Sequence, residues 1–398
     1  MKTLGLFVFI DALGWEVLQK HPDFLADLAP HRQPLETILG YSSACDPSII
    51  SGLTPAEHKL WSSYYYLRNG RSPFAWTRWL GLLPDRLTER ARVRHYLSKL
   101  VKRACGITGY FQLYNVPFRH LPLFNYAEWK RIWEIQPQGL PVGTTIFDLL
   151  HAAGMSWYVH DSGKNDEGKL ADLRTDLERG EIDFAYISLG KLDALMHAEG
   201  TRTPKIGELL RWYDTRIHEL LTIAERRYGE VRFHVFTDHG MHDITEGHDL
   251  QTDVARLGLR FGTDYVAFYD STMGRFWPLN ADAQARLREA LLAHPKGRLL
   301  PEEELRRLGV YFPDGQYGDL IFLLHPGIQI APSFMGRKAI PGMHGFHPAD
   351  PDSRAMICAN HPLPHDLTRI EQIFGLMCAC TGITPPHGRA VPPSLFPQ

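Results

Sequence analysis

Cysteine is sparse in this chain of 398 residues and has no pattern: Cys45, Cys105, Cys358, Cys378 and Cys380 are odd in number and include no Cys-x-x-Cys pair. Neither a disulfide framework nor a thiolate zinc site is indicated, and a reducing compartment is expected. No charge of one sign dominates, since 43 basic side chains meet 45 acidic ones for a formal charge of −2. Without a global field nucleic acid is not expected as a partner, and any contact with an anionic membrane would have to be local. Long apolar runs are missing too: the run Leu4–Ile10 stops at Asp11, too soon for a signal h-region or a membrane span. A soluble, cytoplasmic protein is the expectation. With 44% apolar and 22% charged residues the composition is that of an ordinary globular chain that can bury a sizeable core. Its length fits two domains or one large α/β unit with insertions. Histidine is the residue in excess, at 20, in small groups near acidic residues that metal or acid–base chemistry could use.

Short runs rich in Val, Ile, Phe and Tyr alternate with longer helical stretches, and several runs end in Asp, Gly or Ser. This is the βαβ rhythm of an α/β fold, a mainly parallel sheet covered by helices on both faces. Strands are expected at Leu4–Ile10, Trp157–His160, Ile182–Leu189, Val231–Thr237 and Leu320–Leu324, and helices near Thr145–Ala153, Lys205–Arg227, Ala281–Ala293 and Asp366–Cys380. In such sheets ligands sit beyond the carboxyl ends of the strands. Asp11, the stretch Gly190 to Asp193, and Asp238-His239 all lie at strand exits, so three polar clusters converge if the strands are neighbours. Two regions break the rhythm. Residues 64–140 carry the aromatic stretch Tyr64-Tyr65-Tyr66 through Phe74, Trp76 and Trp79, then a basic, helix-like segment from Asp85 to Cys105; residues 260–340 mix strands, a helix and Gly/Pro-rich turns. The expected organisation is a core of residues 1–63, 141–259 and 341–382, a cap insertion at 64–140, a second insertion at 260–340 and a Pro-rich tail at 383–398.

Short motifs carry the chemistry. The strand ending Phe9-Ile10 delivers one carboxylate, Asp11, at a place where Asp also serves as an ordinary helix N-cap. In Gly40-Tyr41-Ser42-Ser43-Ala44 hydroxyls enter a turn leading into a short helix, where the positive dipole end and free N–H groups favour phosphate. Asp193 and His197 are four apart, so on a helix they share one face and can either ligate a metal or form a surface ion pair. Thr237-Asp238-His239-Gly240 ends an apolar strand in an adjacent Asp and His, which packing does not explain. Gly342-Met343-His344-Gly345 flanks an imidazole with glycines that let backbone approach closely. Together Asp11, Asp193, Asp238, His197, His239, His344 and a serine hydroxyl make the inventory for two divalent cations, held by oxygen and nitrogen, flanking a nucleophile.

In this order the motifs resemble the alkaline phosphatase superfamily, and most closely its type I phosphodiesterase/nucleotide pyrophosphatase branch, over residues 3 to 382. The resemblance implies an alkaline-phosphatase-like fold in which the core segments bind metal. It sets the nucleophile ten residues before the Gly of Ser51-Gly52-Leu53-Thr54-Pro55-Ala56-Glu57-His58, which is Ser42, with Ser43 the neighbouring choice. By the same resemblance Asp11, Ser42, Asp238 and His239 surround one metal, and Asp193, His197 and His344 hold the other. Zinc is the expected ion and manganese the other candidate. The chain departs from the family pattern at Ala12, Ser51, Leu192 and Met196, none of which would bind metal. It departs also at Ser63, where members acting on nucleotides carry an Asn that touches phosphate, so the substrate does not carry over with the metals. A sulfatase reading fails, because Cys45-Asp46-Pro47-Ser48 lacks the following Arg and Cys45 lies too close to Gly52. No Arg or Lys lies within the nucleophile motif to grip a terminal phosphate, which favours a diester.

The implied activity is cleavage of a phosphodiester or pyrophosphate bond in a small-molecule phosphate ester, through a phosphoseryl intermediate on Ser42. A phosphomonoesterase or phosphotransferase could use the same residues. From a different class comes a metal-free Ser-His-Asp hydrolase built on Ser42, Asp238 and His344 in that chain order, though it leaves Asp11, Asp193, His197 and His239 without a purpose. Residues 68–105 hold ten Arg/Lys against Asp85 and Glu89, with Leu87, Ala91, Leu97, Val101 and Ala104 as a partial apolar face. Weak contact of that segment with a membrane or lipid is a further expectation, set against a solvated cap helix packed on the protein. The oligomeric state is left open.

Overall fold

The computed structural model describes residues 2–84, 88, 90–127 and 137–395. The chain divides into two units, one formed by Met1–Lys59, Ile132–Asp243 and Pro348–Gln398, the other by Leu60–Arg131 and Ile244–His347.

In the first unit six strands form one sheet: β1 (Thr3–Ile10), β2 (His31–Leu35), β3 (Trp157–Val159), β4 (Phe184–Leu189), β5 (Glu230–Phe236) and β6 (Ala355–Ala359), in the spatial order β2-β6-β5-β1-β4-β3. β5, β1, β4 and β3 run parallel, while β6 is antiparallel to both its neighbours. The helices used below are α1 (Ser42–Ser51), α2 (Asp166–Arg179), α3 (Lys191–Glu199), α4 (Lys205–Arg227) and α5 (Ile373–Thr381). β1 is apolar along its length and buried from Leu4 onward, which suits the middle of a parallel sheet covered on both faces. Leu4, Leu6, Val8 and Ile10 cluster with Leu170, Leu173 and Leu177 of α2 and Ile217 and Leu220 of α4. On the other face Phe7 meets Phe184 with ring centroids 5.3 Å apart, and α5 comes so close that a Cβ on Gly5 would lie 3.3 Å from the Cys380 Cβ. The buried stripe Ile206, Leu210, Tyr213, Ile217, Leu220 and Ala224 of α4 recurs at the helical period. Each such aliphatic side chain, fully buried, contributes about 1.5–3 kcal/mol.

The strands expected near 4–10, 157–160, 182–189 and 231–237 are β1, β3, β4 and β5. β2 and β6 are not among the expected strands, although β6 reads Ala-Met-Ile-Cys-Ala, a short apolar run. β2 reads His-Arg-Gln-Pro-Leu, and its proline, which has no N–H to donate, is tolerated because β2 is an edge strand. The expected helix 366–380 starts later, as a 3-10 turn at Ile370–Gln372 followed by α5. What positions the site is the strand order: β1 has β5 on one side and β4 on the other, and all three run parallel. The carboxyl ends of these three neighbours therefore open onto one crevice.

The second unit holds a four-stranded antiparallel sheet, Tyr265–Tyr269, Met273–Pro278, Leu320–Leu324 and Gly297–Leu299 in that spatial order. The strand expected at Leu320–Leu324 thus forms in this sheet and not in the parallel one. Tyr64, from the paired strands Tyr64–Tyr66 and Phe124–Tyr126, stacks on Phe268 at 5.3 Å between centroids, so the aromatic stretch and the 260–340 segment share a core. Residues 244–259 and 341–347 also belong to this unit, whereas the sequence reading groups them with the metal-binding core. The helix Ala91–Ala104 turns Leu97 and Val101 into the aromatic core and leaves Tyr96 and Leu100 exposed. Asp85, Leu87 and Glu89 of the same basic segment lie outside the described residues. Among the described residues no helix is long and apolar enough to cross a membrane.

Candidate active site

β1 delivers Asp11 just past its last residue, and the Asp11 N–H donates to the Leu189 carbonyl at 3.0 Å, tying the exits of β1 and β4 together. The next residue, Ala12, turns back at φ 62. That left-handed conformation costs a residue with a Cβ about 1–2 kcal/mol, which gives a physical reason for the glycine that the family pattern places there. Beyond the turn, Gly14 and Gly240 meet backbone to backbone. A Cβ on Gly14 would lie 2.4 Å from Gly240 Cα, and one on Gly240 would lie 2.1 Å from the Asp352 carbonyl oxygen. Both glycines are therefore packing requirements: a side chain on Gly14 would push the exits of β1 and β5 apart, and one on Gly240 would push away the backbone at Asp352 and Arg354.

Asp238 follows β5 with its side chain fully buried, and its backbone carbonyl accepts from Thr37 Oγ1 at 2.6 Å. His239 Nδ1 lies 2.9 Å from the Gly240 carbonyl oxygen. A carbonyl only accepts, so Nδ1 carries the proton and the Nε2 lone pair faces the crevice, the tautomer a metal-ligating imidazole adopts. Around that Nε2 lie Asp238 Oδ2 at 3.2 Å, Ser42 Oγ at 3.3 Å and Asp11 Oδ1 at 3.6 Å. The ligand atoms of Asp11, Asp193 and His239 lie within 4.8 Å of one another. Asp11 Oδ1 and Asp238 Oδ2 are buried and receive no hydrogen bond. Burial, and then the charges of Asp193, Asp238 and Asp46, push the Asp11 carboxyl well above the usual carboxylate range. A nitrogen lone pair and bare carboxylate oxygens facing one another repel unless a cation lies between them, and this donor set of nitrogen and oxygen fits a divalent metal.

Ser42 is the first residue of α1, after an extended Tyr41, so its hydroxyl sits at the positive end of the helix. Within α1, Ser48 Oγ lies 2.9 Å from Nε2 of the buried His58; the histidine of the Ser51-to-His58 motif thus braces this helix. Asp193 and His197 stand one turn apart on α3, Oδ1 to Nε2 at 3.2 Å. Six of the expected site residues thus form one connected group in the first unit. The seventh, His344, belongs to the second unit, where it is buried after the short strand Gly342–Met343. The next residue, Gly345, has a φ of 91, and its carbonyl accepts from Thr272 Oγ1 at 2.7 Å.

Sequence reasoning missed three contributors. Asp46 lies four residues after Ser42 on α1, a spacing that puts both on one helix face and could have found it. Asp166 and Thr37 act through backbone groups of the site and leave no local motif.

The family model for type I phosphodiesterase / nucleotide pyrophosphatase matches residues 6–347. No match is found among curated proteins. Among solved structures, murine ectonucleotide pyrophosphatase / phosphodiesterase 5 superposes with a TM-score of 0.67 at 14% identity, over 98% of each chain. An inactive form of the murine protein in complex with AMP gives 0.66 at 13% identity, again over 98% of each chain. The human protein gives 0.66 at 14%, over 98% of this chain and 97% of its own. At such identities the likeness speaks for the fold, a central, mostly parallel sheet flanked by helices. The family match speaks for more: the chain belongs to the type I phosphodiesterase / nucleotide pyrophosphatase family, within the alkaline phosphatase superfamily, and is a phosphoric ester hydrolase.

Proposed function

We propose that the chain cleaves a phosphodiester or pyrophosphate bond by attack of Ser42 Oγ on phosphorus. The Ser42 proton passes to solvent as the O–P bond forms, the P–O bond to the leaving group breaks and that oxygen takes up a proton from water, and a water molecule then hydrolyses the phosphoseryl group, returning the serine hydroxyl. Asp11, Ser42, Asp238 and His239 would hold one divalent cation, and Asp193 and His197 of α3 would ligate the other, with zinc first and manganese second in expectation. When bound, such a pair lowers the pKa of a serine hydroxyl and offsets charge on the non-bridging oxygens. The chain's own groups do the placing. The first turn of α1 presents Ser42 where the dipole favours phosphate, Thr37 fixes the Asp238 backbone, and the Gly240 carbonyl fixes the His239 tautomer.

The observation that carries this reading is the arrangement about His239 Nε2: a lone pair, two buried carboxylate oxygens without donors and a serine hydroxyl, all within 3.6 Å. The 3.3 Å contact of Ser42 with His239 also suits a metal-free hydrolase with His239, and not the expected His344, as base. In a triad, however, the second ring nitrogen donates to a carboxylate, and here it donates to a backbone carbonyl. The substrate would be a small phosphate ester. The AMP complex of the murine relative makes nucleotide diesters the first to try, with Ser63 as the reason to look more widely.

The test is a panel of phosphodiesters, pyrophosphates, phosphomonoesters and sulfate esters, run on wild type, Ser42→Ala and chelator-treated enzyme. We expect hydrolysis of diesters, lost in Ser42→Ala and with chelator and restored by Zn or Mn. Full activity after metal stripping, or in Ser42→Ala, would overturn the proposal.

A further inference from the structure

We propose that His234, His361 and Cys380 form a binding site for a zinc-class divalent cation, separate from the catalytic residues. The site lies within the first unit and does not rest on the catalytic reading. His234 sits inside β5, four residues before Asp238, which at strand geometry is about 13 Å away along the chain. Its side chain is wholly buried and stacks on Phe7 at 4.3 Å between centroids. An imidazole in the middle of an apolar strand needs polar partners, yet its Nδ1 has none and its Nε2 meets a second ring, His361 Nε2, at 3.0 Å. His361 Nδ1 is 3.2 Å from the Pro362 carbonyl oxygen. That acceptor holds the proton on Nδ1 and turns the His361 Nε2 lone pair toward His234, the backbone-anchored orientation of metal-bound histidines. Cys380, near the end of α5, completes the group: one ligand atom from each of the three lies within 4.8 Å of the others.

Two imidazoles and a thiol, with no carboxylate among them, select zinc-class ions over oxygen-seeking cations. His361 and Cys380 are only partly buried, which leaves a way in. The nearby Arg232 is held by Glu230, to whose Oε1 its Nε donates at 3.0 Å, and by the Ala379 carbonyl, to which its Nη1 donates at 3.3 Å. Its side chain also hydrogen-bonds Cys380, which favours the thiolate form that a metal ligand needs. A second histidine cluster, His248, Asp253 and His294 in the other unit, lacks this orientation. There the Lys296 N–H donates to His294 Nδ1 at 3.2 Å, which leaves Nε2 protonated and facing Asp253 Oδ2 at 3.2 Å, a closed hydrogen-bonded network. Cysteine spacing gave no hint of the first cluster because its ligands come from three separate elements, so a bound ion would staple α5 to β5 and the segment after β6.

Cobalt(II) titration of metal-stripped full-length protein separates this site from the catalytic one. The proposed catalytic ligands offer only nitrogen and oxygen, so a near-ultraviolet thiolate-to-cobalt charge-transfer band signals a cysteine ligand, and its loss in Cys380→Ser assigns it to Cys380 and not to Cys45 of α1. We expect the band to appear, to be displaced by zinc, and to vanish in Cys380→Ser. In His361→Ala the cobalt affinity should fall by more than roughly tenfold, and hydrolysis by both variants should stay at the wild-type rate. Circular dichroism confirms that each is folded. No band in folded wild type, or a band of unchanged affinity in His361→Ala, would overturn the proposal whatever the enzyme assays show.

Discussion

Asp166 grips Lys191 by its backbone: Oδ2 accepts the Lys191 N–H at 3.1 Å, and Oδ1 of the same carboxylate accepts the Gly190 N–H at 3.2 Å. The carboxylate at the start of α2 therefore caps α3, whose own N-cap, Gly190, has no side chain to do it. Tyr213 Oη donates to the same Oδ2 at 2.5 Å. Because α3 carries Asp193 and His197, this cap sets where both point. Asp166→Asn would aim an amide donor at backbone donors, a buried mismatch of about 1–3 kcal/mol. The half-saturating metal concentration for activity should rise roughly tenfold, with the rate recovered at excess metal. A variant that is destabilised but titrates metal like wild type would make the cap merely structural.

The carboxylates around His239 should destabilise the protein when no cation is present. Asp11 has its carboxyl raised in the folded state, by burial first and then by Asp193, Asp238 and Asp46, so keeping it ionised near neutral pH works against folding. Asp11→Asn removes that charge. In metal-stripped samples the variant should melt above wild type; in saturating zinc the order should reverse. Calorimetry with and without zinc reads both arms. A wild type more stable than the variant in chelator as well would mean that these oxygens do not repel one another.

Much of this site was legible because parallel sheets put polar residues at strand exits, where an apolar run must end: Asp11, Asp193, Asp238 and His239 all declare themselves that way. What was hidden depends on the strand order or on tertiary contact. Nothing local says that β1 lies between β4 and β5, which is what makes three exits one crevice. β2 escaped because an edge strand can be polar and contain proline. The stripe Leu97 and Val101 on the basic helix packs on the aromatic core of its own unit, a partner that sequence spacing does not name. Asp166 left no motif because it acts on backbone N–H groups some 25 residues away in the chain.

His160 makes the fold sensitive to mild acid. It is buried just past β3, and its Nδ1 accepts the Ser188 N–H at 3.2 Å. Burial, and then the charge of Lys169, push its pKa from 6.5 down to about 3. Between those values the unfolded chain binds a proton that the folded chain refuses, so stability is lost as pH falls below 6.5 toward 3. The loss from this group reaches at most about 1.4 kcal/mol per pH unit. In His160→Asn the amide oxygen can take the place of Nδ1 as acceptor without titrating. Denaturant unfolding from pH 7 to pH 5 should therefore show a shallower decline for the variant. Parallel curves would exclude His160 as a source of the acid sensitivity.

Ala12 tests how much of the family's glycine pattern is conformation and how much is chemistry. At φ 62 and fully buried, a methyl group is about the most the position can carry. Ala12→Gly relieves about 1 kcal/mol of backbone strain, but it also frees the unfolded chain, which costs about 0.4–1 kcal/mol. The two terms nearly cancel, so stability and activity should stay close to wild type. Ala12→Val adds a branched side chain in the left-handed region with no room around it, and should cost about 3 kcal/mol or more. The strain would fall on the peptide that holds Asp11, so activity at saturating metal should fall with stability. If valine were tolerated as well as glycine, the turn after β1 would not be what aims the Asp11 carboxylate, and the departure at residue 12 would have no structural meaning.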